Sequence, residues 1–159
     1  VLSVDNDPKR LEMVKDTIER QNIDNVNILC TDMTKGELPI SNKILIDVPC
    51  SGTGVINRRI DIKWRRTQEE IDLVRKVQYR IIENVSKYLK KDGILVYSTC
   101  SIEPEENELL IEEFLKKHKF VVEDASDFVN KDIVKKGAIN NLPGEFGMDG
   151  GYAVRLRKL

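Results

Sequence analysis

The sequence has few of the residues that would indicate a disulfide scaffold, a zinc site or a membrane protein. It has three cysteines, Cys30, Cys50 and Cys100, and a single histidine. An odd number of distant cysteines argues against a disulfide framework, and one histidine argues against a cluster of His and Cys zinc ligands. No apolar run approaches the roughly 20 residues of a membrane helix. We therefore expect a cytoplasmic protein with reduced thiols, no metal site and no membrane contact.

A large charge of one sign is also lacking. The net charge is -1 at pH 7, although charged residues make up 33% of the chain, so a surface for nucleic acid would have to be local. Hydrophobic residues make up 40% of the 159 residues, which is enough for a core. Because the chain opens on the apolar residues Val1 to Val4 without Met, we expect part of a domain from a longer protein.

Apolar runs and turn residues predict alternating strands and helices. We expect strands over residues 1–4, 26–30, 43–47, 94–97, 120–123 and 151–156, and helices over 8–22, 68–91 and 105–117. The alternation predicts an α/β fold with a mostly parallel sheet, in which the last two strands pair antiparallel. The continuous apolar run before Asp47 predicts a strand that is covered on both faces. Cys30 is expected in the core.

Polar residues follow four of the predicted strands: Asp5, Asp32, Asp47 and Cys100. Ligands of open α/β sheets bind beyond the carboxyl ends of the strands, so the set favours a binding site. Asp5, at the end of a strand and before a helix, suits a carboxylate that binds ribose hydroxyls. Taken alone, each aspartate also suits a turn or a helix cap. The glycine-rich loop that normally precedes such an acid is absent from the sequence.

Cys50 and Cys100 are candidates for chemistry in the same cleft. Cys50 lies in a segment whose Gly52 and Gly54 allow close approach to a ligand, and both cysteines would face one cleft if their strands are neighbours. Either thiol could be the nucleophile on these grounds, and an idle thiol is the alternative for each. The acids between residues 103 and 108 are interpreted mainly as the start of a helix.

A basic segment follows Cys50. Its cations are Arg58, Arg59, Lys63, Arg65 and Arg66, and within the segment only Asp61 opposes them. Arginine and lysine beside a reactive cleft suit the phosphates of RNA. We interpret Trp64 as an anchor that packs against the domain.

These segments resemble the Nol/Nop/Sun family of RNA cytosine-C5 methyltransferases, and within it the bacterial members that act on 16S ribosomal RNA. The resemblance covers almost the whole chain and is carried by residues 47–54, 59–64, 97–107 and 148–158. The two cysteine motifs in this order and spacing are its most specific part.

The resemblance implies a Rossmann-like, class I S-adenosylmethionine-dependent methyltransferase fold, of which residues 1–159 are a partial catalytic domain. Cys100 would be the nucleophile and Cys50 would assist release of the product. Asp5 would bind the ribose of S-adenosyl-L-methionine, Asp32 would lie near its adenine, and Asp47 would lie between cofactor and cytosine. The first strand, the glycine-rich loop and an N-terminal RNA-binding region would belong to the rest of the protein.

Two expectations concern the isolated chain. In methyltransferases of this class the first strand separates the strand at Val1 from the strand at Ile44, so its absence would leave two bare edges. We therefore expect the 159-residue chain to bind cofactor weakly or not at all, and to self-associate.

Three alternatives stay open at this point. One is an amino-group methyltransferase of the same fold, to whose Asp/Asn-Pro-Pro-aromatic motif the residues from Asp47 to Cys50 are loosely similar. Another is an RNA-binding module without catalysis. The third is a thiol redox protein, which would form a disulfide between Cys50 and Cys100.

Overall fold

The computed structural model describes residues 1–159. Its strands form two sheets, and helices connect several of them. The strands are β1 (Leu2–Asp5), β2 (Asn27–Cys30), β3 (Ser41–Asp47), β4 (Leu89–Thr99), β5 (Phe120–Glu123), β6 (Val134–Lys135), β7 (Ala138–Asn141) and β8 (Gly151–Lys158). The helices are α1 (Pro8–Arg20), α2 (Ile62–Arg65), α3 (Gln68–Ser86) and α4 (Glu108–Lys117). The order confirms the predicted α/β class.

The two sheets differ in size. β1 and β2 pair in parallel as a two-stranded sheet, and the six-stranded sheet has the order β3-β4-β8-β7-β6 with β5 paired to β8. β3 and β4 are parallel, whereas β8 pairs antiparallel with β4, β5 and β7. The predicted antiparallel pairing of β5 with β8 is confirmed. Only β1–β2 and β3–β4 pair in parallel, so the part of the fold in these residues has more antiparallel pairs than the predicted, mostly parallel sheet. β1 and β3 are end strands of separate sheets. The resemblance implies that the family's first strand, which the 159 residues do not include, lies between these two strands.

The core lies between the six-stranded sheet and the helices α3 and α4. It is a cluster of 16 buried residues, among which the side chains of Tyr97, Phe114 and Leu156 are fully enclosed. α3 begins with a capping box, in which Thr67 and Glu70 each accept a hydrogen bond from the other's backbone N–H. None of the helices combines the length and the apolar character that crossing a membrane would require.

The end of α3 differs from the prediction. The helix ends at Ser86, and β4 begins at Leu89, so the predicted helix was too long and the predicted strand too short. The Lys158 ammonium donates to the carbonyl oxygens of Ser86 (2.8 Å) and Leu89 (2.7 Å), which satisfies the end of the helix at this point. Leu89 remains a core residue but enters the core from a strand.

Two residues that were predicted to be covered are exposed. Leu45 in β3 is 70% exposed, while Ile46 beside it is buried against the helices. Successive side chains of a strand point to opposite faces, and only the Ile46 face of β3 lies against α3 and α4. Cys30 is exposed as well, because it ends a two-stranded sheet with little core around it. The prediction of core positions for both residues was wrong.

A hairpin of β6 and β7 was not predicted. Lys136 and Gly137 connect the two strands with positive φ values of 54° and 81°. Two such residues in succession make the tight turn that suits a two-residue hairpin. The hairpin pairs with β8 and enlarges the antiparallel half of the sheet.

Candidate active site

The parallel register of β3 and β4 brings the two predicted cysteine segments together. Asp47 lies opposite Ser98, whose hydroxyl donates to Asp47 Oδ1 at 3.0 Å. Beyond these strand ends, the Gly54 N–H donates to the Cys100 carbonyl oxygen at 3.0 Å. The two strands are neighbours, which is the condition for both cysteines to share one cleft, and both loops lie at the same edge of the sheet.

The two thiols are in direct contact. Both cysteines are free, and their Sγ atoms are 3.0 Å apart, with Cys100 exposed and Cys50 partly buried. The hydrogen bond from Cys50 lowers the pKa of Cys100 to about 7. The same hydrogen bond, together with burial, raises the pKa of Cys50 far above its usual range. Near neutral pH Cys50 therefore keeps its proton, while a substantial fraction of Cys100 is ionised to the thiolate.

A buried carboxylate lies behind the two thiols. Glu106 has no exposed surface, and its Oε1 accepts from the Ser101 hydroxyl at 2.7 Å. Its Oε2 accepts from the Ser51 N–H at 2.9 Å and from the Gln78 side-chain amide at 2.7 Å. Ser51 and Ser101 are the residues that follow the two cysteines. Glu106 thus joins both loops.

Asn107 completes the support on the Cys100 side. Its side-chain amide donates to the Ser101 carbonyl oxygen at 2.9 Å, and its Oδ1 accepts from the Thr99 hydroxyl at 2.7 Å. The Tyr97 hydroxyl donates to the Glu106 carbonyl oxygen at 2.7 Å. The residues on both sides of Cys100 are therefore held by buried polar groups.

The interpretation of Glu106 as a helix-start acid was wrong. α4 begins at Glu108, and Asn107 before it has φ -114° and ψ -110°, because residues 106 and 107 turn their side chains inward. A signal was present in the sequence. Glu106 and Asn107 lie four residues before the buried Leu110 and Ile111, so they continue the inward face of the helix.

Glycine is required at position 54, where the loop after Cys50 passes close to the backbone of Gly150. A Cβ atom at this position would lie 2.2 Å from the carbonyl oxygen of Gly150. The Gly150 N–H donates to the Gly54 carbonyl oxygen at 2.8 Å, next to the bond from Gly54 to Cys100. The close approach predicted for this glycine is made to the protein's own backbone.

Asp5 and Asp32 lie on the other sheet. Parallel pairing sets Asp5 opposite Cys30, which is two residues before Asp32. Asp5 Oδ1 accepts from the Asp7 N–H at 2.8 Å and lies 3.2 Å from the Arg10 guanidinium, while Oδ2 has no hydrogen-bond partner. Hydrogen bonds from Thr34 lower the pKa of Asp32. Asp47, Cys50 and Cys100 thus meet on one sheet, and Asp5 and Asp32 follow neighbouring strands of the other.

The basic segment has more acidic partners than its sequence suggested. Arg58 pairs with Asp149 at 2.8 Å, Arg65 with Asp61 at 3.4 Å, and Arg66 with Glu70 at 3.7 Å. Arg66 also donates to the Ser51 carbonyl oxygen at 2.8 Å, which ties it to the Cys50 loop. Arg59 and Lys63 are exposed and have no acidic partner.

Trp64 does not anchor the segment. Its side chain is 79% exposed, whereas Ile62 is only 5% exposed and takes the anchoring position near Gly52. The Lys63 ammonium lies 5.2 Å from the centre of the Trp64 ring. The prediction for Trp64 was wrong, and an exposed aromatic ring stands among the cations instead.

Known proteins are similar to the chain in sequence and in fold. The family model described as 16S rRNA methyltransferase RsmB/F matches residues 1–157. The ribosomal RNA small subunit methyltransferases B of Photorhabdus laumondii and Vibrio cholerae are 38% and 37% identical to the chain, each over 99% of it. The chain spans 36% of the length of these two relatives.

Solved structures give the same result. NSun6 from Pyrococcus horikoshii, solved with SFG, has a TM-score of 0.85 and 29% identity over 99% of the chain and 41% of its own length. A methyltransferase homologue from the same organism has a TM-score of 0.79 and 30% identity over 99% of the chain and 53% of its own length. These likenesses confirm the predicted Rossmann-like methyltransferase fold. Together with the match over residues 1–157, they show that the chain belongs to the 16S rRNA methyltransferase RsmB/F family.

Proposed function

We propose that the full-length protein transfers a methyl group from S-adenosylmethionine to carbon 5 of a cytosine in 16S ribosomal RNA, with Cys100 as the covalent nucleophile. The observation that carries this proposal is the contact of the Cys50 and Cys100 thiols, 3.0 Å apart at the ends of adjacent parallel strands. The relatives named above are ribosomal RNA methyltransferases, which supports the substrate class.

The chemistry requires a nucleophilic thiolate. Carbon 5 of cytosine is a poor nucleophile, and addition of a thiolate to carbon 6 makes it enamine-like. Carbon 5 can then form a bond to the methyl group that S-adenosylmethionine supplies, as the bond between that methyl group and the cofactor's sulfur breaks. Loss of the carbon 5 proton to a base and expulsion of the cysteine restore the ring, so that one difficult step is divided into easier ones. Cys100 suits the attack because the hydrogen bond from Cys50 lowers its pKa to about 7 and its side chain is exposed.

Cys50 and Asp47 have supporting roles in this reaction. Cys50 keeps its proton near neutral pH, so it can donate a hydrogen bond to the sulfur of Cys100 when that sulfur leaves the ring. In this proposal the Asp47 carboxylate, exposed at the end of β3, binds the amino group or ring nitrogen of the cytosine. The target base has to leave its stack to reach both thiols.

The aspartates of this chain fit the nucleoside half of the cofactor. S-adenosylmethionine supplies the methyl group when it is bound. Asp5 fits the ribose hydroxyls, since its free Oδ2 is an available acceptor at a strand end. Asp32 fits the adenine side, and Asp47 lies toward the thiols. NSun6 was solved with SFG, an analogue of S-adenosylmethionine, which supports the same cofactor here.

The basic segment supports an RNA substrate. Arg59 and Lys63 are exposed without acidic partners, and Arg58 and Arg65 are largely exposed despite theirs. We assign phosphate contacts to these cations, and to Arg66 a further link between the RNA surface and the Cys50 loop.

Trapping with RNA that contains 5-fluorocytosine tests the proposal. Fluorine at carbon 5 cannot leave as a proton does, so the adduct with the attacking cysteine persists. We expect the wild-type full-length protein and its Cys50→Ala variant to form the adduct, and Cys100→Ala to form none. Mass spectrometry of the RNA-linked peptide identifies the cysteine.

Other outcomes separate the alternatives. An adduct that maps to Cys50 would reverse the roles of the two thiols. Methylation retained by Cys100→Ala would exclude the carbon 5 mechanism and favour an amino-group methyltransferase. A Cys50–Cys100 disulfide in a non-reducing digest, together with no methylation, would favour the redox protein.

A further inference from the structure

Glu106 is a buried acid that the proposed chemistry does not use. Its carboxylate accepts from a hydroxyl, a backbone N–H and a side-chain amide, all of which are neutral donors. No salt bridge neutralises it. A buried charge without a cation is costly to keep, and full hydrogen bonding offsets part of that cost. Stability alone is a poor reason to bury this carboxylate, so the positions of its hydrogen-bond partners are more informative about its role.

The hydrogen bonds of Glu106 lead to both thiols. Oε2 holds the Ser51 N–H directly after Cys50, and Oε1 holds the Ser101 hydroxyl directly after Cys100. Gln78, which donates to Oε2, also donates to the Pro49 carbonyl oxygen at 2.9 Å, directly before Cys50. One carboxyl group therefore joins the two cysteine loops, next to the direct contact between the Ser51 and Ser101 hydroxyls at 3.0 Å.

We propose that Glu106 is a positioning residue, which sets the separation of the Cys50 and Cys100 sulfur atoms by holding the residue that follows each of them. Its consequence for catalysis rests on the proposed function, since a thiol pair held at 3.0 Å is what keeps the proton on Cys50 and the charge on Cys100. The thiol geometry itself can be measured without RNA or cofactor.

Charge and position make opposite predictions for removal of Glu106. The negative charge of Glu106 raises the pKa of Cys100, so its loss alone would make the Cys100 thiolate form at lower pH. The hydrogen bond from Cys50 is the largest influence on Cys100 and lowers its pKa, so separating the thiols would make the thiolate form at higher pH. The direction of the change therefore distinguishes a positioning role from an electrostatic one.

The experiment follows alkylation of Cys100 by iodoacetamide in the full-length protein over a pH series. Wild-type protein should show a midpoint near pH 7. We expect Glu106→Ala to raise the midpoint by about one pH unit or more, toward the value of an ordinary cysteine. Glu106→Gln should lie closer to the wild type, because its amide can still bridge the two loops and Ser101 can accept in place of donating.

A double-mutant cycle shows whether Glu106 acts through Cys50. Cys50→Ala should raise the midpoint by itself, and adding Glu106→Ala should then raise it no further. Equal shifts in both backgrounds would overturn the proposal, and so would a Cys50→Ala variant with an unchanged midpoint. A midpoint that falls in Glu106→Ala would assign Glu106 an electrostatic role instead.

Two further variants protect the test against simple loss of folding. Ser101→Ala removes one of the three hydrogen bonds to Glu106, together with the contact of its hydroxyl with that of Ser51, and should raise the midpoint less than Glu106→Ala does. Ile82→Val trims a fully buried residue of α3 and should leave the midpoint unchanged. If Ser101→Ala also leaves it unchanged, the proposal fails even where Glu106→Ala does not fold. A normal set of midpoints in a protein without methyltransferase activity would reject the proposed function alone.

Discussion

The ends of β3 and β4 carry the thiols on a buried polar network, whereas the ends of β1 and β2 carry Asp5 and Asp32 on a sheet with almost no core. Around the thiols, Ser51, Ser101, Glu106 and Asn107 are all buried and hydrogen-bonded to one another or to neighbouring backbone. In the first 40 residues, only Leu11 is buried. We call these parts the thiol region and the β1–β2 unit.

The β1–β2 unit joins the rest of the chain through few polar contacts. The Asn84 side chain donates to the carbonyl oxygens of Met33 (3.1 Å) and Gly36 (2.9 Å), between β2 and β3. The helix α1 borders an open apolar groove of about 480 Å³, whose lining includes Met13, Val14 and Ile18. Regions with few buried contacts open most easily. The thiol region is thus ordered by its own residues, while the β1–β2 unit has apolar surface available for further packing.

Removal of one cysteine thiol from each region should give the largest difference between the two regions. In the full-length protein, we expect Cys100→Ala to lower methylation of ribosomal RNA on the order of 10³-fold or more, the scale for loss of a covalent nucleophile. Cys30→Ala, at the exposed end of β2, should leave the rate unchanged and serves as the matched control. Single-turnover transfer of labelled methyl measures both. Similar losses in both variants would mean that the thiols act through folding and not through chemistry.

Cofactor affinity should give the second largest effect. We expect the 159-residue chain to bind S-adenosylmethionine at least about 100-fold more weakly than the full-length protein, equivalent to ~2.7 kcal/mol. The reason is that, on the proposed function, the β1–β2 unit would supply carboxylates for the nucleoside, whereas the 159 residues do not include the glycine-rich loop that such sites use. Isothermal calorimetry on both proteins measures the difference. Micromolar binding by the 159-residue chain would contradict the expectation and show that the β1–β2 unit is already ordered.

The two regions also differ in how far their sequences predicted them. The positions of Asp5, Asp32, Asp47 and Cys100 at or just after the ends of strands could be predicted, because a polar residue that ends an apolar run is a local signal. The 3.0 Å contact of the thiols was not predictable in the same way, since it depends on the register of β3 against β4. Register between strands that are distant in the chain is set by tertiary packing, which periodicity does not report.

Predictions were wrong at residues whose type suited a local role but whose position in the tertiary structure gave them a different one. Glu106 suits a helix start, and only the inward face of α4 reveals that it points into the protein. Ile60, Ile62 and Trp64 are three apolar candidates for one anchoring position, and the sequence does not rank them. Exposure decides in favour of Ile62. The predictions of buried positions for Cys30 and Leu45 were wrong because an apolar strand residue predicts packing on its face of the sheet. The residues of this chain do not pack against those two faces.

Stability should separate the two regions by a smaller margin. We expect Asn107→Ala to lower the free energy of unfolding by about 2 kcal/mol, because it leaves the Ser101 carbonyl and the Thr99 hydroxyl buried without their partner. Asp32→Ala should cost much less, since water replaces its contacts with Thr34. Urea unfolding of each full-length variant gives the comparison. Equal losses would mean that the β1–β2 unit is as tightly built as the thiol region.

Replacement of Trp64 should give the smallest effect, and it tests whether the surface beside the thiol region contacts RNA. The ring is 79% exposed beside Lys63, and stacking of one base on an aromatic ring contributes about 1–3 kcal/mol. We expect Trp64→Ala to weaken RNA binding about tenfold. Trp64→Phe should retain most of the affinity, because a smaller ring still stacks.

Ile60 provides the matched control for Trp64, because it is 69% exposed in the same segment but has no ring to stack on a base. Ile60→Ala should therefore leave the dissociation constant unchanged in a filter-binding or fluorescence-anisotropy titration at fixed salt. If Trp64→Ala lowers the unfolding midpoint of the full-length protein and leaves RNA affinity intact, another part of the polypeptide covers the ring. The surface beside the thiol region would then be a packing surface, and RNA contact would fall to the cations alone.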